Sequence, residues 1–514
     1  MTKSRPLPAF KALPIVAVVL YVIKLAWFHT PLIEVNATVI DGILTSLKPI
    51  MIVWGAIFLF NVMEHTGSMA TLRTWLNTIT DNPVAQIMIV AWAFSFLIEG
   101  ASGFGTPLAI ATPILVGLGF EPIAAIVVSL VFNSVPVTFG AVGVPTWFGL
   151  GEIGLTSQQI TSVGFTSALI NSFAALIIPL VGLLFIVTWR QIKANIIFIY
   201  LSIFSCVVPY LLVSYWNTEF PSIIGGLVGT ITSIILAHYK VGLAPAPISS
   251  SARHPQITNR KLLTASFPIW ATVLILLITR LDYLGIKALL NAESPTVSFP
   301  IPLLGTLSIS PALSVSLKNI LGTAVSWNHK FLYIPSIIPF FLVGFVSFLL
   351  LKTPRTKRLA AWNKTIHRMR HPVIALIGTL IFAKLFMAGQ NSCTMIIGNA
   401  LAFAAGGYWY YFASLLGALG SFFAGSNTVS NLTFAPIQTT IAQTLGLNKI
   451  LVLSLQSAGG ALGKMICIHD IVAACSVIGI TGKEGMILKR TIIPMLIYAI
   501  LVALCVPLIL AFIL

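Results

Sequence analysis

Charged residues are scarce in this chain, and acidic residues are the scarcer kind. Only 8% of its 514 residues are charged, and Asp and Glu together number 12. A soluble domain carries about 25% charged residues. The uncharged stretches leave no room for a large soluble domain between them, so the composition excludes a soluble enzyme.

Several patterns that mark enzymes and cofactor sites are also missing. The cysteines lie in apolar surroundings without metal-ligand spacing: Cys206, Cys393, Cys467, Cys475 and Cys505. No G-x-x-x-x-G-K-[ST] segment is present, which argues against ATP as the driving force. Acids and histidines do not cluster as a membrane-embedded enzyme needs them. We therefore expect no enzyme, no metal and no cofactor, although a membrane-embedded transferase with Glu99 or His469 as a base is the alternative of another class.

Hydrophobic residues make up 57% of the chain, and many windows of about 20 residues lack charge. This predicts an all-α polytopic membrane protein. The net charge of +17 does not indicate nucleic acid, because the basic residues collect in loops and are not spread over a folded surface. One loop contains Lys240, Arg253, Arg260 and Lys261, and another contains Lys352, Arg355, Lys357, Arg358, Lys364, Arg368 and Arg370. The positive-inside rule places both loops, and the N-terminus, in the cytoplasm.

Hydropathy and loop charge together predict a topology. Eleven spans are predicted near residues 12–30, 43–63, 121–150, 160–187, 195–215, 222–238, 263–280, 330–351, 373–390, 448–480 and 491–513. Basic connections 239–262 and 352–372 then lie inside, connections 31–42 and 281–329 lie outside, and the C-terminus lies outside.

Two further apolar segments, 84–118 and 408–446, are too long for one span and have glycine-rich centres. We interpret them as re-entrant hairpins, because exposed backbone is tolerated in a membrane only where protein or a wet cavity surrounds it.

The order of these elements repeats along the chain. Residues 1–190 form a predicted first repeat with hairpin 84–118 and a broken helix at 121–150. Residues 330–514 form a predicted second repeat with hairpin 408–446 and a broken helix at 448–480, and residues 191–329 supply linking helices and loops. An odd number of linking spans inverts the second repeat, which is an arrangement typical of secondary transporters.

Long motifs at these breaks resemble those of the bacterial L-lactate permease family. They are Glu99–Pro107, Gly117–Phe120, Gly425–Thr428, Gly463–His469 and Gly482–Gly485. The resemblance implies proton-coupled symport of L-lactate, and often of D-lactate and glycolate, across the bacterial inner membrane. More loosely, the two-hairpin plan resembles an ion-transporter superfamily that includes sodium-coupled carriers and usually forms dimers. A homodimer is therefore one implied state, and the lipid bilayer and a small carboxylate are the other expected partners.

The hairpin tips are the candidate substrate site. Helix N-termini at the tips present free N–H groups and positive dipole ends to a carboxylate. The candidate ligands are Ala101, Ser102, Gly103, Gly105, Thr106, Ser426, Asn427 and Thr428, with Asn133 and Ser134 for the substrate hydroxyl and Lys464 as an electrostatic partner. The alternative is that the tips only turn tightly and that the broken helices only satisfy their own backbone.

Glu99 is the acid that the predicted topology places deepest in the membrane. An ionised carboxylate is expensive there, which favours a group that binds and releases a proton. The alternatives are a structural Glu held by the hairpin backbone, and His469 as the proton site, because histidine titrates near neutral pH. Asp470 is a candidate for proton coupling, or alternatively for a salt bridge to Lys464 or His469.

The main rival within transport is a sodium-coupled carrier of another organic anion, suggested by Ser426-Asn427-Thr428. A di- or tricarboxylate site needs more fixed positive charge than Lys464 offers, which favours a monocarboxylate.

Overall fold

A computed structural model describes residues 9–76, 78–103, 105–245, 258–280, 284–334, 336–389, 392–480 and 482–512. This part of the chain is mostly helical and confirms a multi-pass membrane protein. Seven of its helices are long and apolar enough to span a membrane, or eight if one bent pair is counted as a span.

The α-helices follow one another along the whole described chain. They are α1 (Ala9–Ala26), α2 (Leu32–Thr66), α3 (Ser68–Leu76), α4 (Pro83–Ile87), α5 (Ser95–Ser102), α6 (Thr106–Gly117), α7 (Pro122–Phe132), α8 (Gly140–Trp147), α9 (Ser157–Ala175), α10 (Ile178–Leu183), α11 (Trp189–Ala194), α12 (Ile196–Ser214), α13 (Pro221–His238), α14 (Asn259–Arg280), α15 (Ile286–Leu290), α16 (Val343–Leu350), α17 (Arg355–Met387), α18 (Cys393–Ala405), α19 (Trp409–Ala424), α20 (Asn427–Thr444), α21 (Lys449–Gly463), α22 (Ile468–Ile478) and α23 (Glu484–Phe512).

Shorter and wider helical turns join some of these helices. The 3₁₀ turns are Val135–Phe139, Gly151–Ile153, Ile320–Gly322, Gly406–Tyr408 and Lys464–Ile466, and the π-helical turns are Met88–Phe94 and Ile337–Leu342. The strands are β1 (Val297–Ile301), β2 (Gly305–Ile309), β3 (Ser314–Lys318) and β4 (Trp327–Lys330).

Contacts between residues divide the chain into two compact units. The first unit comprises Met1–Leu72 and Thr258–Ile396, and the second comprises Arg73–Ile257 and Ile397–Leu514. Each unit thus combines segments from both halves of the sequence. The predicted division into two inverted repeats concerns internal symmetry and stays a prediction.

Both predicted hairpins are helix pairs interrupted at the glycine-rich centre, and both belong to the second unit. In the first, α5 and α6 are separated by residues 103–105 and pack against each other. In the second, α19 and α20 are separated by Gly425 and Ser426 and also pack together. Glycine with a positive φ ends α5 and α19, because Gly103 and Gly425 adopt φ of 58° and 69°, which L-residues rarely adopt.

Both predicted broken helices are broken where polar and small residues interrupt the apolar pattern. The axis bends by 48° between Pro122–Phe132 and Val135–Ile153. Within α8, Ala141 and Val142 have left-handed φ values of 46° and 58°. In the other segment, a 3₁₀ turn at Lys464–Ile466 separates α21 from α22, while Lys449–Cys475 as a whole is long and apolar enough to count as one span.

The prediction of a purely helical chain needs one correction, in connection 281–329. Strands β1 to β4 form an antiparallel sheet in sequential order, which begins in this connection and ends at Lys330. Alternating apolar and hydroxyl residues drive this structure, since a period of two directs one set of side chains to one face. Leu317, Ile320 and Trp327 pack with Ala37 and neighbouring apolar residues of α2.

Two predicted loops are helical instead. Residues 32–42 belong to α2, which runs for 35 residues, and most of the basic connection 352–372 belongs to α17, which runs for 33 residues. Lys, Arg, Ala and Leu favour helix as strongly as membrane-facing residues do, so a loss of hydropathy did not mark a helix end. The helical part of the predicted span at 330–351 begins only at Ile337, because Lys330 ends β4 and turns follow it at 331–334.

Candidate functional site

A buried ion pair joins the first hairpin to the second broken helix. Nζ of Lys464 lies 3.0 Å from Oε1 of Glu99, and the two side chains are 5% and 2% exposed. Glu99 is on α5, whereas Lys464 begins the 3₁₀ turn after α21, 365 residues later. Burying two charges is costly unless they neutralise each other, so this pair fixes the relative position of the two segments.

The first broken helix supplies the other contacts of the Glu99 carboxylate. Nδ2 of Asn133, the residue that caps the end of α7, donates to Oε2 of Glu99 at 3.1 Å. Gly140 is packed so closely that an added Cβ would lie 2.5 Å from Oε1 of Glu99. Among the described residues, the hydrogen-bond partners of this carboxylate are thus the side chains of Lys464 and Asn133.

A second acid lies beside the first hairpin tip. Asp470 is 4% exposed in the first turn of α22 and interacts electrostatically with Lys464. A Cβ added to Gly105 would lie 3.1 Å from Oδ1 of Asp470, and one added to Gly103 would lie 3.0 Å from Cβ of Ala141. The tip therefore lies against both broken helices, and its glycines permit that close approach.

The second hairpin tip contacts the same two helices at other points. Ser426 caps α20 by accepting from the backbone N–H of Val429 at 3.4 Å. Nδ2 of Asn427 donates to the carbonyl of Ser457 on α21 at 3.2 Å, and its Oδ1 faces Gly460. One turn later, Asn431 donates to the carbonyl of Pro145 in α8 at 2.9 Å.

Several buried oxygens around these breaks have no hydrogen-bond partner within the described part of the chain. They are Oδ1 of Asn133, Asn427 and Asn431, and Oγ of Ser421. Buried polar atoms are almost always paired in folded proteins, so such a group points to a ligand or to water. The amide oxygens can accept a hydrogen bond from a hydroxyl or coordinate a small cation.

The remaining predicted residues are placed less distinctively. Ser102 and Ser134 donate to the carbonyls of Ile98 and Val131 in their own helices, at 2.9 and 2.7 Å. Ala101 ends α5, Thr106 begins α6, and Thr428 is buried in the first turn of α20. The His469 side chain lies outside the described residues. The substrate-binding and proton-coupling roles of all these residues stay predictions.

A set of buried polar residues supports the second hairpin and was missed by the sequence reasoning. Gln438 accepts from Trp409 at 2.7 Å and donates to Gln456 at 2.9 Å, and Gln456 donates to the hydroxyl of Ser430 at 3.0 Å. The sequence did contain a signal for this network, because two glutamines inside otherwise apolar helices need hydrogen-bond partners.

Asn171 is a buried polar residue that supports the break in the first broken helix. It donates to the hydroxyl of Thr138 at 2.8 Å and accepts from the hydroxyl of Tyr498 at 2.8 Å. These hydrogen bonds attach the 3₁₀ turn of the first broken helix to α9 and α23, so the break is held by neighbouring helices as well as by its own sequence.

Known proteins resemble this chain along its whole length. The family model described as L-lactate permease matches residues 1–514. The chain is 44% identical over 505 residues to a Haemophilus influenzae protein named "Putative L-lactate permease", covering 98% of this chain and 94% of the relative. It is 27% identical over 499 residues to the L-lactate permease of Escherichia coli K12, covering 93% and 88%. It is 26% identical over 502 residues to the glycolate permease GlcA of the same organism, covering 92% and 86%. The match of the family model to all 514 residues shows that this chain belongs to the L-lactate permease family.

Proposed function

We propose that the chain is a secondary transporter that takes up L-lactate and related 2-hydroxy monocarboxylates, including D-lactate and glycolate, together with a proton. The names of its relatives, L-lactate permease and glycolate permease, support this substrate class. The location that fits this function is the bacterial inner membrane.

The observation that carries the coupling proposal is the buried pair of Glu99 and Lys464. While Glu99 is ionised, its carboxylate is paired with the ammonium group of Lys464, which is then not available to the substrate. A proton on Glu99 removes that negative charge, and the carboxylate of the substrate then takes its place on Lys464. The substrate thus binds only when a proton binds, which is the requirement for symport. His469 is the rival carrier of this proton.

Charge counting supports the same scheme. With both acids ionised, Glu99, Lys464 and Asp470 sum to −1 + 1 − 1 = −1. The substrate anion and one proton add −1 + 1 = 0, so these three side chains and their cargo keep the same net charge whether loaded or empty. An anion without a proton would bring the sum to −2 in a low-dielectric interior, which is strongly unfavourable.

The membrane potential gives a further reason for a proton. At roughly −150 mV inside, entry of one anion is opposed by about 3.5 kcal/mol, which is several hundredfold in concentration. One co-transported proton cancels this term, and the pH gradient then drives accumulation.

The hairpin tips and the first break complete the proposed substrate site. Backbone N–H groups at Gly105 and Asn427 supply donors for the substrate carboxylate, whereas the N–H of Gly103 donates to the carbonyl of Glu99 at 2.9 Å. The amide oxygens of Asn133 and Asn427, which have no hydrogen-bond partner among the described residues, supply acceptors for its 2-hydroxyl group. A hydrophobic wall separates lactate from glycolate by only about 1–3 kcal/mol for one methyl, which fits transport of both.

The finer architecture belongs to the same proposal. Each interrupted helix pair enters and leaves the membrane on one side, the two halves form an inverted repeat with eleven further spans, and the C-terminus lies outside. The side-by-side packing of α5 with α6 and of α19 with α20 supports the hairpins. A homodimer is the proposed assembly, by architectural likeness alone.

Uptake by the purified chain in liposomes tests this function. Labelled L-lactate should accumulate when the lumen is alkaline, and an uncoupler should abolish accumulation. Unlabelled D-lactate and glycolate should compete with it, whereas a dicarboxylate should not. Accumulation that survives the uncoupler would contradict proton coupling.

A sodium-coupled carrier of an organic anion is the second candidate. Ser421, Asn427 and Asn431 favour it, because each has a buried oxygen without a hydrogen-bond partner in the described part of the chain, and such oxygens are suitable ligands for a hard cation. Sodium-free buffer separates the two candidates: uptake driven by pH alone supports proton symport, and uptake that requires sodium supports this alternative.

A further inference from the structure

The first unit contains a basic cavity that the transport site does not use. The cavity has a volume of about 430 Å³ and lies where three helices end or begin, at Gly67 after α2, Thr258 before α14, and Leu351 after α16. Its volume falls within the range of about 300–1,000 Å³ that is typical of small-molecule sites.

The lining of this cavity suits an anion. Arg260 and Lys261 both line it, and neither forms an ion pair with an acidic side chain of the described residues. The nearest acid on α2, Glu64, is 2.9 Å from Lys364. Among the described residues, the cavity therefore brings two cations together, and the Glu64 carboxylate near it is paired with Lys364.

Hydroxyl groups provide directional donors beside these cations. Ser68 is 1% exposed, and its oxygen accepts from the hydroxyl of Thr66 at 3.2 Å. Thr66 carries a single hydroxyl proton and is also placed to donate to the carbonyl of Met63 at 3.2 Å, in which case Ser68 donates to Thr66 instead. Ser68 lines the cavity together with Thr258. Cations and O–H donors that converge on one space are the groups that bind phosphate oxygens.

The surroundings of the cavity indicate where the phosphate comes from. Leu263, one turn from Arg260, is 63% exposed, and Leu349 and Leu350 at the end of α16 are 65% and 51% exposed. These side chains are apolar and belong to segments that the hydropathy assigns to the membrane, so they suit acyl chains. Positive loop charge places this end of the helices at the cytoplasmic surface, where anionic lipids attract basic residues.

We propose that this cavity binds the phosphate headgroup of an anionic phospholipid from the inner leaflet, with its acyl chains along α14 and α16. Arg260 and Lys261 hold the headgroup charge, and Ser68 and Thr258 donate to phosphate oxygens. The site lies in the first unit and is independent of the proposed transport chemistry.

Thermal unfolding of the delipidated full-length protein in detergent tests the proposal. Phosphatidylglycerol should raise the Tm in a saturable way, whereas phosphatidylcholine with the same acyl chains should not. Inorganic phosphate at the same concentration should give a smaller shift. If inorganic phosphate alone reproduces the full shift, the site binds free phosphate and the lipid assignment fails.

Two double variants distinguish specific binding of the lipid in the cavity from nonspecific electrostatic attraction between the lipid and the basic protein surface. R260Q/K261Q should bind phosphatidylglycerol about 30-fold more weakly, since each basic residue near an anionic surface contributes ~1 kcal/mol. R355Q/K357Q removes two exposed cations that do not line the cavity and should bind normally. The charge-preserving R260K/K261R should keep most of the binding and controls for folding. Equal weakening in R260Q/K261Q and R355Q/K357Q, or none in R260Q/K261Q, would overturn the site.

Discussion

The pair of Asp41 and Lys384 in the first unit joins two uninterrupted helices, whereas the pair of Glu99 and Lys464 in the second unit joins the last turn of α5 to the 3₁₀ turn between α21 and α22. The N···O distances are nearly equal, at 3.1 and 3.0 Å. Exposure differs, because the Asp41 and Lys384 side chains are 11% and 20% exposed, against 2% and 5% for Glu99 and Lys464. The same chemistry therefore occurs in two different settings.

The backbone around each pair indicates what the pair does. At Asp41, the hydroxyl of Thr45 adds a hydrogen bond at 2.9 Å, and a Cβ on Gly42 would come within 2.8 Å of the backbone of Ile381. That is a close crossing of α2 and α17 that the ion pair reinforces. At Glu99, the neighbours are a helix cap, a 3₁₀ turn and a second acid. The exchange of charge partners that we propose would take place there.

Replacing each of the two lysines in turn should reveal the largest difference between the two ion pairs. Lys464→Met leaves Glu99 buried without its partner, which we expect to cost about 3–5 kcal/mol in unfolding free energy and at least ~100-fold in uptake. Lys384→Met leaves Asp41 with the hydroxyl of Thr45 as a remaining partner and with an 11% exposed side chain, so we expect a smaller cost of roughly 2 kcal/mol and nearly normal uptake. Lactate uptake and thermal unfolding of both variants measure this. Equal loss of uptake in the two would remove the distinction.

Gly140→Ala should disturb the Glu99 carboxylate without removing any charge. Its Cβ would lie 2.5 Å from Oε1, so we expect about 1–3 kcal/mol of strain and a fall in uptake of roughly tenfold. Gly151→Ala is the matched control, because the nearest atom to its Cβ is 3.9 Å away. Normal uptake by Gly140→Ala at normal membrane levels would show that the position of the carboxylate does not matter.

Asn427→Ala should weaken substrate binding at the second tip. We expect KM to rise about tenfold, the equivalent of one lost hydrogen bond of ~1–1.5 kcal/mol, while the protein still reaches the membrane. Asn399→Ala serves as control, since Asn399 is exposed and its described partner is Thr444. An unchanged KM would show that Asn427 does not bind the substrate and only contributes to helix packing.

Stability should depend on pH through a residue of the first unit, separately from transport. Burial, together with the charge of Lys48, lowers the pKa of His329 to about 4 from an ordinary value of 6.5. As pH falls below 6.5, the unfolded imidazole binds a proton that the folded one does not, so stability is lost between about pH 6.5 and 4. At pH 5 the loss is about 2 kcal/mol.

Unfolding of wild type and His329→Leu at pH 7 and pH 5 measures this effect. The variant should lose less stability on acidification, and its uptake should keep the pH dependence of the wild type. Identical acid sensitivity of unfolding in both proteins would contradict the assignment to His329.

The helix breaks were predictable from sequence, whereas the long-range partners were not. Glycines at 103, 105 and 425 interrupt apolar runs, and backbone physics alone makes such points turns. The pairing of Glu99 with Lys464 spans 365 residues and depends on packing that no local pattern encodes. The sequence suggested the substrate as the partner of Lys464, and the structure adds an internal carboxylate.

Helix ends and the small sheet were predicted less well. Hydropathy predicts which residues lie in the membrane and not where a helix ends. The helix α17 extends several turns beyond its apolar part, because Lys, Arg and Ala favour helix in water as well. The strands from Val297 to Lys330 alternate in period two, but they are short and depend on α2 for an apolar partner. Their stability is therefore tertiary, which a local pattern does not reveal.

Lactate flux through Glu99→Gln in liposomes is the most direct test of the coupling between Glu99 and Lys464. The substitution preserves volume and releases Lys464, so the account predicts that exchange of labelled for unlabelled L-lactate continues while accumulation driven by a pH gradient is lost. Accumulation by Glu99→Gln with the pH dependence of the wild type would contradict the account.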